Sequence, residues 1–518
     1  MKDFITTDIS KSKQTFLNVG AMMIQFILSL SISFFLSPYI VKTLGAEANG
    51  FVSLANNFIS YFSVIIVALN GMAARFIAVS FHQGNMKQAN IYYSSLFWGD
   101  LVLVIFFSIF SFFFIWNLEK IINISPELIE DIKTLFALIF INYLLTVLFT
   151  IWSTATYITN KVFLDSIVAM FNVMARAVVL IVSFTFFTPH TYYLGLAIFV
   201  IGSVSIICNF YFKRKLIPEL KVKKENFDLL ALKTLISSGC WNSVSRIGGL
   251  LETGCAMLIT NILVNPFYMG VLAVARTMPS VIDGLNGNLS AVFLPSLVKD
   301  YATDNKEAVM KNIIMSSKII SIICSVPLCF LIVFGEAFYS LWQPTLNSQE
   351  VYFLSVLICL SYVFVTGSQS LFNIFTAYNK VRQNSLSVIV MGVISITITV
   401  ILLKTTDLGV YAVAGVSPIV NLGRYLLFVL PYSAKCMGLK WTSFYSIIRD
   451  SLITVVVLCI WGFAARYFME INNWSSLIAS GCIFVVGGYF LEIFLLLTRD
   501  ERKVFFRLIS NKISMKIF

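Results

Sequence analysis

The chain contains apolar stretches that are too long and too numerous for the core of a soluble protein. The 16 residues from Leu101 to Trp116 carry no charge, and similar runs recur along all 518 residues. Apolar residues make up 58% of the chain and charged residues 12%, against about 25% charged residues in soluble domains. Because a membrane-spanning helix needs about 20 mostly apolar residues, we predict an all-α polytopic membrane protein. A membrane β-barrel is excluded, since its strands alternate polar and apolar residues.

Dividing the apolar windows at charged, Pro, Gly or Asn clusters predicts about 14 transmembrane helices. They run approximately over Phe16–Ile40, Phe51–Leu69, Ser95–Trp116, Thr134–Ala155, Val162–Phe187, Tyr192–Phe212, Leu235–Leu263, Phe267–Leu294, Ile313–Phe334, Val351–Ala377, Leu386–Leu403, Leu408–Leu430, Ile447–Phe468 and Trp474–Leu497. Most of the 37 Lys and Arg lie on the side of the N-terminus, which the positive-inside rule assigns to the cytoplasm. We therefore expect both chain ends in the cytoplasm, and the net charge of +12 requires no nucleic-acid partner.

The second half of the chain repeats features of the first half. Asn160-Lys161-Val162 corresponds to Asn379-Lys380-Val381, and Gly50 corresponds to Gly270. A shared offset of this kind indicates two parallel six-helix lobes, whose substrate site usually lies between them near the membrane midplane. The predicted domains are an N-lobe (residues 1–212), a basic cytoplasmic linker (213–234), a C-lobe (235–431), an extra helix pair (447–498) and a cytoplasmic tail (499–518).

The sequence lacks the residue patterns that are typical of disulfide frameworks, metal sites and phosphate-binding loops. The nine cysteines occur singly, and the two histidines lie far apart, so we predict neither a disulfide framework nor a metal site. No phosphate-binding loop of the G-x-x-x-x-G-K-[ST] type occurs. We expect no cofactor, and any energy coupling has to come from an H⁺ or Na⁺ gradient.

Charged side chains inside the predicted spans mark the candidate site, because each costs about 2.5 to 3.5 kcal/mol at a helix centre. Arg246 on the seventh helix and Arg276 on the eighth would lie near the membrane midplane. Guanidinium groups suit a dehydrated pyrophosphate, since they donate paired hydrogen bonds and are weakly hydrated. The predicted substrate-binding residues are Arg246, Arg276, Arg176, Asn242 and Asn56. Structural pairing between helices is the alternative role for each arginine.

Carboxylates inside the spans are candidates for ion coupling, because they can change protonation as their access to water changes. The predicted ion-coupling residues are Asp283, Glu252 and Asp165, with Glu492 as a further candidate. Asp283 is preferred because it shares a helix face with Arg276, although a permanent salt bridge is an equal alternative. Asp100 is expected at the membrane interface, and Arg424 and Lys318 are expected to extend toward it.

The stretch from Ser37 to Gln83 carries a Pro-Tyr pair, a Leu-Gly pair and then a glycine that opens the second helix. These residues are Pro38, Tyr39, Leu44, Gly45 and Gly50. Together with two six-helix lobes and an extra helix pair, the pattern resembles the Wzx-type polysaccharide flippases of the MOP superfamily. The resemblance implies a MATE-like fold in a bacterial plasma membrane. It also implies transfer of undecaprenyl-pyrophosphate-linked oligosaccharides to the outer leaflet, for capsule or O-antigen synthesis. A polysaccharide polymerase and a chain-length regulator would be partners.

Three other functions compete with an oligosaccharide-lipid flippase: a lipid II flippase, an exporter of small molecules and a membrane enzyme. Lipid II flippases place arginine in the first helix, where this chain offers only Gln25, which argues against a peptidoglycan precursor as substrate. A cation-coupled exporter of small molecules keeps the fold, but an exporter of organic cations favours an acidic cavity rather than arginines. A membrane glycosyltransferase or polymerase is the third hypothesis. We expect no enzyme, because the longest outer loop, from Asn117 to Lys133, is short and lacks arginine and histidine.

Overall fold

Every regular element in the described part of the chain is a helix. A computed structural model describes residues 11–302 and 305–503. It divides into two compact units, Met1–Gly270 and Val271–Phe518. The helical architecture confirms the predicted fold class.

The first unit is built from helices that follow one another with short connections. They are α1 (Lys11–Asn70), α2 (Ala73–His82), α3 (Met86–Trp116), α4 (Leu118–Ile121), α5 (Ile129–Leu148), α6 (Thr150–Ile158), α7 (Phe163–Phe186), α8 (Tyr192–Leu216), α9 (Leu229–Gly249) and α10 (Cys255–Leu263). A π-helical turn, Leu250–Gly254, joins α9 to α10. Helix α11 (Pro266–Ala275) contains the unit boundary.

The second unit continues in the same manner. Its helices are α12 (Thr277–Ala302), α13 (Lys306–Trp342), α14 (Ser348–Ile358), α15 (Leu360–Val365), α16 (Phe372–Ala377), α17 (Val381–Thr405), α18 (Val410–Arg424), α19 (Leu430–Cys436), α20 (Tyr445–Tyr467) and α21 (Trp474–Leu496). A 3₁₀ turn, Thr366–Leu371, precedes α16, and a π-helical turn, Tyr425–Val429, precedes α19.

Within the described residues, 11 helices are long and apolar enough to cross a membrane, or 12 if the pair α14 and α15–α16, bent by 42°, forms one span. One of these segments, Gly20–His82, is 63 residues long, or about 95 Å at 1.5 Å per residue, three times the hydrocarbon thickness. Gly45 breaks its helical backbone with φ 84°. This segment therefore holds the first two predicted spans.

The seventh predicted span corresponds to α9, the π turn and α10. The π turn divides it, and neither α9 nor α10 is among the 11 segments. Both helices lie in the first unit, where α9 packs against α1 and α3. The predicted lobe boundary at residue 235 follows the basic linker of residues 213–234, and it stays a prediction.

Turn geometry supports the internal repeat. Asn160 and Asn379 have φ of 55° and 54°, a left-handed conformation that asparagine tolerates better than most residues. In both copies the backbone amide of the following lysine donates to the carbonyl oxygen five residues earlier, at 2.7 Å. Asn85 and Asn305 likewise cap α3 and α13. The side chain of each accepts a hydrogen bond from the backbone amide three residues later, that of Gln88 and that of Ala308. These matches recur at the offsets found in the sequence.

Phenylalanine packs the membrane-embedded part of the first unit. Phe62 stacks on Phe107 at 4.7 Å between ring centroids, and Phe58 packs on Phe114 at 4.6 Å. Other phenylalanines on α3, such as Phe112, are exposed. Aromatic residues therefore serve both as core and as apolar outer surface.

A close helix contact inside the first unit gives a stability prediction. A Cβ on Gly270 would lie 2.1 Å from the carbonyl oxygen of Ala46, and backbone cannot yield as a flexible side chain does. We expect Gly270→Ala to destabilise the protein by about 1–3 kcal/mol, lowering the unfolding temperature in detergent. Gly20→Ala is the control, because its Cβ would meet nothing within 4 Å. Equal unfolding temperatures for the two variants would contradict this packing.

A second prediction concerns the end of α21. Lys318 donates to both oxygens of Glu501, at 3.0 and 2.8 Å, and the Thr498 amide donates at 2.7 Å. Partial burial raises the pKa of Glu501, but the hydrogen bonds from Lys318 and Thr498 outweigh it, so the pKa lies below its ordinary value. The stabilising contribution is therefore present at neutral pH and is lost as the pH falls through that lowered pKa.

Glu501→Gln should destabilise the protein at neutral pH by at most about 1 kcal/mol, because the pair is partly exposed. The difference from wild type should vanish in acid. The measurement is the unfolding temperature at several pH values, with exposed Glu470→Gln as control. A difference that persists in acid would show that the ionic pair is not its source.

Candidate functional site

Arg246 is an exposed side chain on α9 in the first unit. Tyr143 on α5 interacts electrostatically with Arg246 and also with Asp100 on α3. Three helices thus contribute an arginine, a phenol and a carboxyl group to one electrostatically connected set. The sequence analysis found Arg246 but missed Tyr143, because no spacing pattern links these three helices.

Asp100 is fully buried, and its expected place at the membrane interface stays a prediction. Asn70 donates its side-chain amide to one carboxylate oxygen of Asp100 at 2.7 Å, and the other oxygen has no hydrogen-bond partner. Helix α3 is longer than its predicted span. Because Asn85 caps the helix, α3 begins at Met86 rather than at the predicted Ser95. Asp100 is consequently 14 residues, or about 21 Å, along the helix.

The seventh predicted span is not one unbroken α-helix. Helix α9 ends at Gly249 and the π turn follows. Asn57 on α1 donates to the carbonyl oxygen of Gly254 at 3.2 Å and so compensates part of the irregular backbone. The side chains of Asn242 and Glu252, predicted for substrate binding and ion coupling, lie outside the described residues.

Asn56 is exposed on α1, one residue before Asn57. Its amide donates to the carbonyl oxygen of Val52 in the preceding turn at 2.9 Å. This bond uses one N–H of the Asn56 side-chain amide, and the side-chain oxygen can still accept a hydrogen bond. Asn56 therefore stays a candidate for contact with a polar substrate.

Helix α7 separates two predicted site residues. Asp165 lies in its first turn and accepts from the hydroxyl of Thr156 at 2.5 Å, a position where the helix dipole favours a carboxylate. Arg176 lies three turns further on, and its Nε is buried without a hydrogen-bond partner. Between them, Asn172 accepts from Ser205 at 2.9 Å and ties α7 to α8. The structure does not bring Asp165 and Arg176 together.

In the second unit, Arg276 lies at the break between α11 and α12 and is partly buried. Asp283 is exposed two turns further on, on α12, and it interacts electrostatically with Cys359. Both Arg276 and Asp283 have interaction partners in the structure. Arg246 belongs to the first unit and Arg276 to the second.

Arg424 is buried, with 5% of its surface exposed, and the prediction that it extends to the interface is wrong. Its guanidinium donates to Asn421 at 3.2 Å and to Asn384 at 3.3 Å, and it lies over the Phe372 ring at 5.5 Å. Asn384 and Phe372 belong to other helices, so helix position alone could not reveal them. Lys318, expected to extend in the same way, pairs with Glu501.

Comparison with known proteins identifies the fold. No family model matches the chain. The chain is 27% identical over 493 residues to the "Uncharacterized membrane protein EpsK" of Bacillus subtilis (strain 168), covering 94% of this chain and 96% of that protein.

Two solved structures extend over most of the chain. A MATE family multidrug resistance transporter of the MOP superfamily, in an inward-facing conformation, gives a TM-score of 0.68 at 12% identity, covering 82% of this chain and 98% of that one. The lipid II flippase MurJ, in an inward closed conformation, gives 0.66 at 16% identity, covering 91% and 97%. The chain has the fold of MOP-superfamily transporters.

The MOP fold confirms the predicted all-helical architecture, and with its apolar spans the chain is a multi-pass membrane protein. The sequence identities of 12% and 16% to the two solved structures establish the fold alone. The MOP fold leaves the roles of Arg246, Arg276, Arg176, Asn56 and Asp283 as predictions.

The buried Asn70–Asp100 pair generates a prediction within this site. Asn70→Leu removes the donor and leaves a buried carboxyl group unsatisfied, which costs about 1–3 kcal/mol. Replacing both residues by leucine should restore part of that loss, because no unsatisfied group then remains. Unfolding temperatures of the two variants in detergent test this. A double variant less stable than Asn70→Leu would contradict the pairing.

Proposed function

We propose that this protein is a flippase for undecaprenyl-pyrophosphate-linked oligosaccharide repeat units. It moves them from the inner to the outer leaflet of a bacterial plasma membrane by alternating access, and both chain ends lie in the cytoplasm. The oligosaccharides serve capsule or O-antigen synthesis. A polysaccharide polymerase and a chain-length regulator would act on the flipped units. The protein is not an enzyme in this proposal.

The observation that carries the proposal is the exposed side chain of Arg246 on α9 of a MOP fold. An arginine in a membrane span is costly, and a wet interior and an anionic ligand offset that cost. A guanidinium matches the oxygens of a pyrophosphate through paired, charge-assisted hydrogen bonds. Tyr143, which interacts with Arg246, and the exposed Asn56 would add neutral hydrogen-bonding groups for the head group or its first sugar.

A lipid-linked substrate is supported by the comparison with MurJ. The MurJ structure matches 91% of this chain, whereas the MATE structures match 82 to 85%. Helices α20 and α21 correspond to the predicted extra pair outside the two six-helix lobes. MurJ is a lipid II flippase, and we extend the general class of its substrate, a lipid-linked saccharide, to this chain.

The principal alternative is a cation-coupled MATE-type exporter of small molecules. It is supported by the TM-score of 0.68 with a multidrug transporter and by the buried carboxyl group of Asp100. The charge of Arg246 opposes binding of organic cations by the same site. An exporter of anions would remain compatible, and a transport assay with a lipid-linked substrate separates it from a flippase.

Two acids of the outer loop, Glu119 and Asp131, make structural contacts, whereas Glu127 and Glu130 are exposed. Glu119 pairs with Lys133. Asp131 accepts from the backbone amide of Thr191 at 2.9 Å and contacts His190 at 3.2 Å. This arrangement supports our proposal that the chain does not act as a glycosyltransferase or polymerase.

The flippase proposal predicts a graded effect of substitutions at Arg246. In a host whose own flippase gene is deleted, the wild-type gene should restore surface polymer. Arg246→Ala should reduce polymer about tenfold to a hundredfold, the loss expected for a hydrogen bond to a charged group. Arg246→Lys should restore it in part, because lysine keeps the charge but lacks the planar fork.

Arg214→Ala is the matched control at equal expression. Arg214 lies near the end of α8 with its guanidinium 5.6 Å from the centre of the Phe210 ring, outside the proposed site, and polymer should be unchanged. Full activity of Arg246→Ala would remove Arg246 from the site. Failure of the wild-type gene in its native polymer background would contradict the flippase function itself.

A further inference from the structure

Glu492 is a carboxyl group buried in the helix pair that lies outside the repeat. It lies near the end of α21, with 1% of its surface exposed. Neither of its side-chain oxygens is hydrogen-bonded. A bare carboxylate in such surroundings would carry a desolvation cost of several kcal/mol, so Glu492 requires a bound cation or a proton.

The packing of α20 against α21 places a hydroxyl group opposite Glu492. A Cβ on Gly462 would touch Phe484, and one on Gly488 would touch Leu458. The helices run antiparallel, so each step of four residues along α21 corresponds to four residues back along α20. Continuing this register brings Glu492 opposite Thr454. The hydroxyl oxygen of Thr454 is buried and has no hydrogen-bond partner either.

Helix α13 supplies the other neighbours of Glu492. Ser325 and Cys324 lie close enough to interact with its carboxyl group. The Ser325 hydroxyl already donates to the carbonyl oxygen of Ser321 at 2.7 Å. Its oxygen can then only accept from Glu492, which a protonated carboxyl group satisfies and a carboxylate does not.

Buried hydroxyls continue along the same face of α13. Ser317, Ser321 and Ser325 are spaced four residues apart, and each is at most 4% exposed. Gly367 packs against this row, and a Cβ there would lie 2.6 Å from the hydroxyl oxygens of Ser317 and Ser321. The row places buried hydroxyl groups along the face of α13 that ends at Ser325, beside Glu492.

No described cation on the three packed helices pairs with Glu492. Lys318 pairs with Glu501, Arg449 with Asp450, and Arg466 with Glu336. Lys311 and Lys306 lie 13 or more residues before Cys324, at least about 20 Å along α13. The remaining titratable groups that interact with Glu492 are thiols and a phenol, which are neutral at physiological pH. They are Cys324, Cys329 and Tyr489, and the free thiol of Cys459 is hydrogen-bonded to that of Cys329.

We propose that Glu492 is the proton-binding site through which transport is coupled to the proton gradient. Once the proton is bound, the carboxyl group can donate to Ser325, and the hydroxyl of Thr454, which has no partner in this structure, becomes its available donor. Release of the proton leaves an unpaired carboxylate and so favours a conformation in which Glu492 meets water. Coupling rests on the proposed transport function, whereas proton binding at Glu492 does not.

The first test is labelling of the full-length protein in lipid nanodiscs with dicyclohexylcarbodiimide. This apolar reagent adds across a protonated carboxylic acid, whose proton moves to the carbodiimide nitrogen, and an acyl shift leaves a stable acylurea. Peptide mass spectrometry locates the label. Labelling of Glu492 should fall about tenfold per pH unit once its proton is lost, and sodium should not change it. Glu492→Gln should lose the label, whereas Asp165→Asn should keep it.

Three results would overturn the assignment. Labelling that is independent of pH would show that Glu492 does not exchange a proton. Protection by sodium at constant pH would reassign the site to Na⁺. An unlabelled Glu492 in a sample whose other buried carboxyl group, Asp100, is labelled would contradict its protonation. None of these readouts involves the transported substrate, so their failure leaves the flippase proposal standing.

The second test measures transport in proteoliposomes with and without an imposed proton gradient. Wild type should respond to the gradient, and Glu492→Gln should lose the response, because glutamine resembles the protonated carboxyl group permanently. Thr454→Val should move the pH at which labelling is half maximal while keeping the label. Full gradient dependence in Glu492→Gln would refute coupling through this residue.

Discussion

Hydrocarbon offers the backbone no hydrogen bonds, and this constraint governs the structure. Each unit contains interruptions of helix geometry, and polar side chains compensate for them. Asn57 bonds the carbonyl of Gly254 in the first π turn, and Tyr445 bonds the carbonyl of Leu426 in the second at 2.6 Å. At the break after α11, Ser355 donates to the carbonyl of Ala275 at 2.7 Å. Helix irregularity can therefore persist in this chain where a neighbouring side chain satisfies it.

The same constraint sorts the charged groups by function. Arg424 has two asparagines and an aromatic ring around it, and Asp100 has Asn70, so each is at least partly satisfied within its own unit. Arg246 is exposed, and Glu492 has no hydrogen-bonded partner. Groups of the second kind need something from outside the fold, which is an anionic substrate at Arg246 and a proton at Glu492 in our proposals.

Sequence reasoning predicts the parts of this structure that depend on local pattern. Hydropathy located the spans, and the Asn160 and Asn379 turns anticipated the repeat. Hydropathy failed where a polar sequence continues a helix, as in the first turns of α3, which begins at Met86 rather than at Ser95. It also failed for Arg424, since Asn384 and Phe372 come from distant parts of the chain. Tyr143 had no signal, because an aromatic residue in an apolar helix is most often core.

The central claim is that the protein moves a lipid-linked, pyrophosphate-bearing saccharide between leaflets. The most direct measurement is reconstitution of the purified protein into liposomes with a fluorescent polyprenyl-pyrophosphate oligosaccharide in both leaflets, followed by quenching from outside. Our account predicts that the protein speeds exchange between leaflets, that Arg246→Ala abolishes this acceleration, and that polyprenyl-linked saccharide without phosphate is not moved. Exchange no faster than in protein-free liposomes, together with export of a small soluble dye, would contradict the account and establish the exporter instead.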